Sequence, residues 1–201
     1  MLARTRAVAV GAFMAVTVAR CGAGVSDRGG AAAARNPVPA AQAPQALPAG
    51  WGHVRLPSGA VLPYPAGSRV LAGDPGSASA ALSNSAGAIQ AYLNATPADG
   101  QETLADWVRF RVRHNATEGD RSVHLVTAQA PARFDGGRAS CVIDDYATSR
   151  SRYRELACIV APAPGARAMR AVVLIAAAQP SAWTRDQPLL RFAIDHFRFA
   201  S

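Results

Sequence analysis

The stretch Cys141-Val142-Ile143-Asp144-Asp145-Tyr146-Ala147-Thr148-Ser149-Arg150-Ser151-Arg152-Tyr153-Arg154-Glu155-Leu156-Ala157-Cys158 decides the fold. Turned back on itself about Ser149-Arg150, it sets Cys141 against Cys158, Ile143 against Leu156 and Asp145 against Arg154 on one face. The other face pairs Val142 with Ala157, Asp144 with Glu155 and Tyr146 with Tyr153. Cross-strand pairs of matched type contribute a few tenths to about 1 kcal/mol each. Only Asp144 against Glu155 is unfavourable, and a one-residue slip would break nearly every match. Ser-Arg is a poor two-residue turn, but a four-residue loop leaves the register unchanged.

Directly opposed residues in such a ladder have Cα atoms roughly 4.5–5.5 Å apart, within disulfide reach. The sequence therefore predicts a Cys141–Cys158 disulfide, worth roughly 3 kcal/mol in the chain-entropy account. A redox-active or metal-binding pair would need CxxC spacing or a histidine cluster, and neither is present. Asp144 and Asp145 are neighbours on one strand and point to opposite faces, so they form no acid pair with each other. Asp144 facing Glu155 would raise one carboxyl pKa or take a cation. Their place near a hairpin tip predicts that both are exposed and solvated.

Upstream, Ser77–Leu82 and Ile89–Asn94 alternate as strands around the turn Ser83-Asn84-Ser85-Ala86, and Ser68–Ala72 precedes them as a short strand after the bend Pro63-Tyr64-Pro65-Ala66-Gly67. Between Thr103 and His114 the period becomes helical, with Leu104, Trp107, Val108 and Val112 inward and Arg109, Arg111 and Arg113 as a solvated face. Asn115, Gly119 and Asp120 read as the polar loop that ends this helix. Val123–Ala128 is a strand, followed by a turn region at Arg133–Arg138. Ala171–Ala178 is apolar throughout, the mark of a central strand covered on both faces. A last helix, from about Asp186 to Phe197, carries the stripe Leu190, Ala193, Ile194 and Phe197, with Pro188 in its first turn.

The N-terminus reads as an export signal over residues 1–20: Arg4 and Arg6 precede the uncharged, mostly apolar Ala7–Ala19. Two exits compete. Thr17-Val18-Ala19 suits signal-peptidase cleavage, and Val18-Ala19-Arg20-Cys21 resembles a lipobox that would make Cys21 a lipidation site. Residues 21–50, rich in Ala, Gly and Pro, read as a disordered tether, and 51–201 as the folded body. Export supplies an oxidising compartment, and with Cys21 set apart two cysteines remain to pair.

The chain has 201 residues and a formal charge of +8, its basic residues all arginine. The body alone carries about +4, too little for nucleic-acid binding. No nucleophile elbow, phosphate loop or HExxH pattern occurs, and His53, His114, His124 and His196 are isolated in sequence. No catalytic, cofactor or metal residues are assigned. The Asn94-Ala95-Thr96 and Asn115-Ala116-Thr117 sequons are read as chance.

The order of elements resembles the PsbP-like fold family over Leu56–Phe199. The resemblance is carried by Tyr64-Pro65-Ala66-Gly67, the Trp107 helix, the hairpin with its apolar following strand, Trp183, and the terminal helix running into Phe197-Arg198-Phe199. That family includes extrinsic photosystem proteins, a Ran-binding nuclear transport factor and exported bacterial lipoproteins of unknown role. The resemblance implies an α+β domain whose antiparallel sheet is sandwiched between helices, and a binding or assembly role with no catalytic residues.

Three functions compete. The first is an exported or lipid-anchored, non-enzymatic envelope module that binds a protein partner or assists assembly. The second is a binder of anionic wall polymer or lipid surface. The third is an envelope hydrolase built from distant residues, for which His124 with Asp144 or Ser140 are the candidates. For the first, the partner-binding residues expected are Tyr146, Arg150, Arg152 and Tyr153, since Tyr and Arg most often anchor interfaces.

Overall fold

Eight strands hydrogen-bond in one continuous antiparallel sheet, and the segment that opened the sequence analysis lies inside it. The computed structural model describes residues 46–128, 132–134, 137–164 and 170–199. The export signal, Cys21 and most of the expected tether lie outside the described residues. The strands are β1 (Gly52–Arg55), β2 (Val61–Tyr64), β3 (Arg69–Leu71), β4 (Ala78–Ser83), β5 (Ile89–Pro97), β6 (Arg121–Ala128), β7 (Ala132–Phe134), β8 (Gly137–Ala147), β9 (Arg152–Pro162) and β10 (Val172–Ala178). The helices are α1 (Trp107–Thr117) and α2 (Trp183–Asp195).

The large sheet runs β3-β4-β5-β10-β9-β8-β6, with β7 also paired to β8. β1 and β2 form a separate hairpin that the sequence pattern did not announce. The C-terminal segment locks onto it through Val61 N–H to Arg198 O at 2.9 Å and Arg198 N–H to Val61 O at 3.3 Å. β10 is central, between β5 and β9, as its unbroken apolar run requires.

The two sheet faces are covered differently. On one, α2 and the β1–β2 hairpin enclose a core built on small strand residues such as Ala91, Ala95, Ala176 and Ala178. These admit the bulky Trp183, Leu190, Ile194 and Phe197 at close range, which is how a flat sheet and a helix reach interior packing density. On the other face α1 covers Val142, Ala157, Ile159, Ile175 and Ala177 with Trp107. The Trp107 indole N–H donates to the Ala157 carbonyl at 3.0 Å, so a polar group deep in this layer is satisfied. The fold is thus an antiparallel sheet between helices, as expected.

The β8–β9 register is the one the sequence dictates, from Cys141↔Cys158 through Ala147↔Arg152. The Cys141–Cys158 disulfide is formed, with Cα atoms 4.1 Å apart. The loop has four residues, held by Thr148: its Oγ1 accepts from the N–H groups of Arg150 and Ser151, each at 3.1 Å.

Two helix expectations need correction. α1 starts later and runs on through Thr117, closing at Gly119, whose φ of +92° suits a residue without Cβ. Asn115 is therefore a buried helical residue, not part of the terminating loop. α2 begins at Trp183, because the Arg185 and Asp186 N–H groups already bond the Ala182 carbonyl. Pro188 then falls inside the helix, past the first turn. It has no N–H for the Thr184 carbonyl, and both residues are exposed, on the solvent side of the helix.

Candidate functional site

Two groups of side chains are distinctive enough to carry function: a polar cluster beneath α1, and the tip of the β8–β9 hairpin. The cluster forms because Asp144 and Glu155, directly opposed, lie on the α1 side of the sheet. Both are fully buried, which overturns the expectation of solvated carboxylates near a tip. The reason is α1. Its Arg111 lies over the pair and donates through Nε to Glu155 Oε1 at 2.6 Å and through Nη2 to Oε2 at 3.0 Å. Four residues on, the next position on the same helix face, Asn115 donates to Asp144 Oδ2 at 3.2 Å and to Glu155 Oε1 at 3.3 Å. Arg111 thus leaves the expected solvated stripe, its side chain only 13% exposed.

Burial, and then the Glu155 charge facing it, push the Asp144 carboxyl up to about 8. Asp144 Oδ1 is buried with no hydrogen-bond partner among the described residues. An orphaned carboxylate oxygen is far less costly as a neutral acid, so the geometry and the raised pKa agree that Asp144 is protonated. One guanidinium then balances one carboxylate. The Tyr146 phenol beside them is likewise driven above its ordinary range by burial.

On the opposite face Asp145 is held below the usual carboxylate range by Arg154, which donates to it at 2.6 and 2.8 Å. His124 Nε2 approaches Asp145 Oδ2 at 3.3 Å. His124 is paired opposite Asp145, whereas Ser140 and Asp144 alternate onto the α1 side of β8. The grouping a hydrolase would need, His124 with Asp144 or Ser140, is therefore not assembled; the sheet lies between them. His53, His114 and His196 also stay apart, and His196 Nδ1 is bound to the Phe192 carbonyl at 2.8 Å.

At the tip, Tyr146 and Tyr153 pair as expected, ring centroids 5.7 Å apart. Both rings are half-buried, so part of their surface belongs to the hairpin itself. Arg150 and Arg152 are exposed and form no ion pair among the described residues. Arg152 lines a polar cleft of about 350 Å³ with Arg121, Ser122, Thr148 and Ser151. Sequence reasoning missed Arg121, which β6 brings to the tip by pairing with Ala147. Ser122 lies in the bulge after it with φ +54°, a conformation uncommon outside glycine.

No family model matches the chain, and no curated protein matches it in sequence. Solved structures do. Cyanobacterial PsbP (CyanoP) from Synechocystis sp. PCC 6803 superposes with a TM-score of 0.52 at 16% identity, covering 76% of this chain and 94% of that one. A Pseudomonas aeruginosa protein of unknown function matches at 0.47 and 16% identity, over 72% of this chain and 94% of that one. LpqN of Mycobacterium tuberculosis, described as involved in cell envelope biogenesis, matches at 0.34 and 18% identity, over 75% and 78%. The fold is PsbP-like.

Proposed function

We propose that this PsbP-like chain is an extracytoplasmic, non-enzymatic module that presents the β8–β9 tip to an envelope protein partner. The observation that carries the reading is the state of the polar groups. Beneath α1, Arg111, Asn115 and Glu155 are spent on one another, while Arg121 and Arg152 line one cleft at the tip and Arg150 stands exposed in its loop, none of the three with a counter-charge among the described residues. Tyr153 pairs with Tyr146 at the same end of the hairpin, on the opposite face from Arg152, and the disulfide and the Asp145–Arg154 pair hold the strands beneath, which lowers the entropy lost on binding. The export pattern over residues 1–20 and the oxidised cysteine pair support a location outside the cytoplasm. Lipidation at Cys21 would anchor the module; a mass increase on the N-terminal peptide of the mature protein reports it.

Affinity capture from envelope extract with the full mature chain tests the reading. Arg150→Ala, Arg152→Ala and Tyr153→Ala, each confirmed as folded by circular dichroism, are expected to lose at least tenfold in capture of the partner taken by the parent. Unchanged capture by all three would remove the tip from consideration.

A second reading rests on the two arginines lining one polar cleft, which suits an anionic wall polymer. It predicts binding to purified polymer that weakens steeply with salt. A partner bound at the tip with weak salt dependence argues against it.

A further inference from the structure

A second surface, away from the tip, lies where α1 overhangs the sheet edge. Val108, Val112 and Ala116 along one side of α1, with Ala105 in the turn just before it, form an apolar stripe, and Val123 and Leu125 of β6 face it across an open groove of about 770 Å³. β6 ends the sheet, so the groove has no further strand as its outer wall. Leu125 and its neighbour Val126 are 45% and 41% exposed, among the most exposed large apolar residues described. Val112, expected in the core, is only half-buried and lines this groove instead. Arg109 and Arg113 stand along the rim, and only Arg109 has an acidic partner, Asp106 at 2.7 Å.

We propose that this groove receives an amphipathic helix of a partner protein whose apolar stripe is flanked by acidic residues. Three observations select that occupant. Small residues, Ala105 just before α1 and Ala116 in its last turn, bound the stripe and permit close approach of a helix, whose apolar side chains would lie along Val108, Val112 and Leu125. The β6 edge carries an extra residue at two places, between Arg121 and His124 and between Leu125 and Thr127, and bulges of this kind blunt an edge against strand addition. Charge complementarity disfavours this chain itself as occupant. Its own residues 22–50 contain two arginines and one aspartate, and a second copy would bring Arg109 and Arg113 against the same arginines. The proposal rests on the binding-module reading but uses a different surface, so tip variants and groove variants report on the two separately.

The test uses the full mature chain and a synthetic 14-residue helix with leucines at i, i+3, i+4 and i+7 and glutamates flanking them. Comparison probes are the same helix with lysine for glutamate, and anionic phosphatidylglycerol vesicles. Saturable amide shifts confined to Ala105–Ala116 and Val123–Leu125 are expected with the glutamate helix only. Leu125→Glu should weaken binding at least tenfold. Arg113→Glu should weaken the glutamate helix and admit the lysine helix, a charge swap that a merely destabilised fold cannot produce. No saturable binding, equal binding of both helices, a groove-dependent preference for vesicles, or a dimer in ultracentrifugation abolished by Leu125→Glu would each overturn the proposal.

Discussion

Asp144 and Glu155 face each other across the β8–β9 ladder, both fully buried; Glu155 takes the Arg111 guanidinium, and the two acids share one amide, Asn115. Two carboxyls beneath a single cation are balanced only when one of them holds a proton. The ladder register enforces their opposition and α1 seals them from water, so the proton is a structural component of the fold.

A pH dependence of stability follows. The Asp144 carboxyl titrates near 3.8 when unfolded and at about 8 when folded. Between those values the folded state holds a proton that the unfolded state has released, so this group's contribution is full below about pH 4 and is lost as pH rises towards 8. Asp145, held low by Arg154, acts with the opposite sign, and its contribution is lost only as pH falls below 3.8. The thermal midpoint of the parent should decline between pH 5 and 8. Asp144→Asn, which mimics the neutral acid, should be flat over that window and more stable than the parent at pH 8. Parallel curves for parent and variant would contradict the assignment.

Removing the cation should cost more than removing either acid. Arg111→Met leaves Glu155 buried without its guanidinium, and breaking a buried ion pair from one side costs about 3–5 kcal/mol. Adding Glu155→Gln to Arg111→Met should recover much of that loss. Urea midpoints of the two single variants and the double variant give the coupling; additive losses would mean that the pair is not interacting.

Both disulfide cysteines are buried. Dithiothreitol alone should therefore leave the bond intact until the chain is partly unfolded, while Cys141→Ala with Cys158→Ala should lower stability by about 3 kcal/mol. For a body of this size that corresponds to a midpoint lower by roughly 6–12 °C. The remaining cross-strand matches should preserve the fold, visible as an unchanged far-ultraviolet spectrum. Rapid reduction of the native protein by dithiothreitol would show that the hairpin base is open to solvent.

Trp107→Phe keeps an aromatic six-membered ring but removes the pyrrole part of the indole, and with it the N–H that donates to the Ala157 carbonyl. Losing a buried hydrogen bond costs about 1–3 kcal/mol and the space left by the smaller ring adds to it, so a loss at or above that range is expected from chemical denaturation. A neutral result would mean that water reaches the carbonyl.

The sequence carried the hairpin register because the pairing chemistry matches at every rung but one from Cys141 to Tyr146, and a period-2 pattern tolerates no slip. It also carried the central position of β10, since only a strand covered on both faces can be apolar throughout. The polar cluster was hidden because its cause is tertiary. Nothing local to Asp144 or Glu155 says that α1 lies above them. One signal was available: Val142 and Ala157, on the same face and one rung pair away, are apolar, and Arg111 and Asn115 share a helix face. The β1–β2 hairpin is too short for periodicity to register. The start of α2 was obscured by Pro188, read as a first-turn residue when it lies well inside the helix.

The strand order divides the sheet into two locally wound ribbons: β3-β4-β5 from the first half of the chain, and β6 through β10 from the second. They meet along a single seam, where Ala91–Pro97 of β5 lies against Val172–Ala178 of β10. Within each ribbon strands pair with the next in sequence, save that β6 reaches past the short β7 to β8, and loop closure there costs little entropy. The seam alone joins residues in the nineties to residues in the one-seventies. Its closure governs how fast the chain folds, because the rate falls as the sequence distance between contacting residues grows. Until it closes, the apolar edge of β10 is unpaired, and the nascent protein is most open to aggregation at this one line.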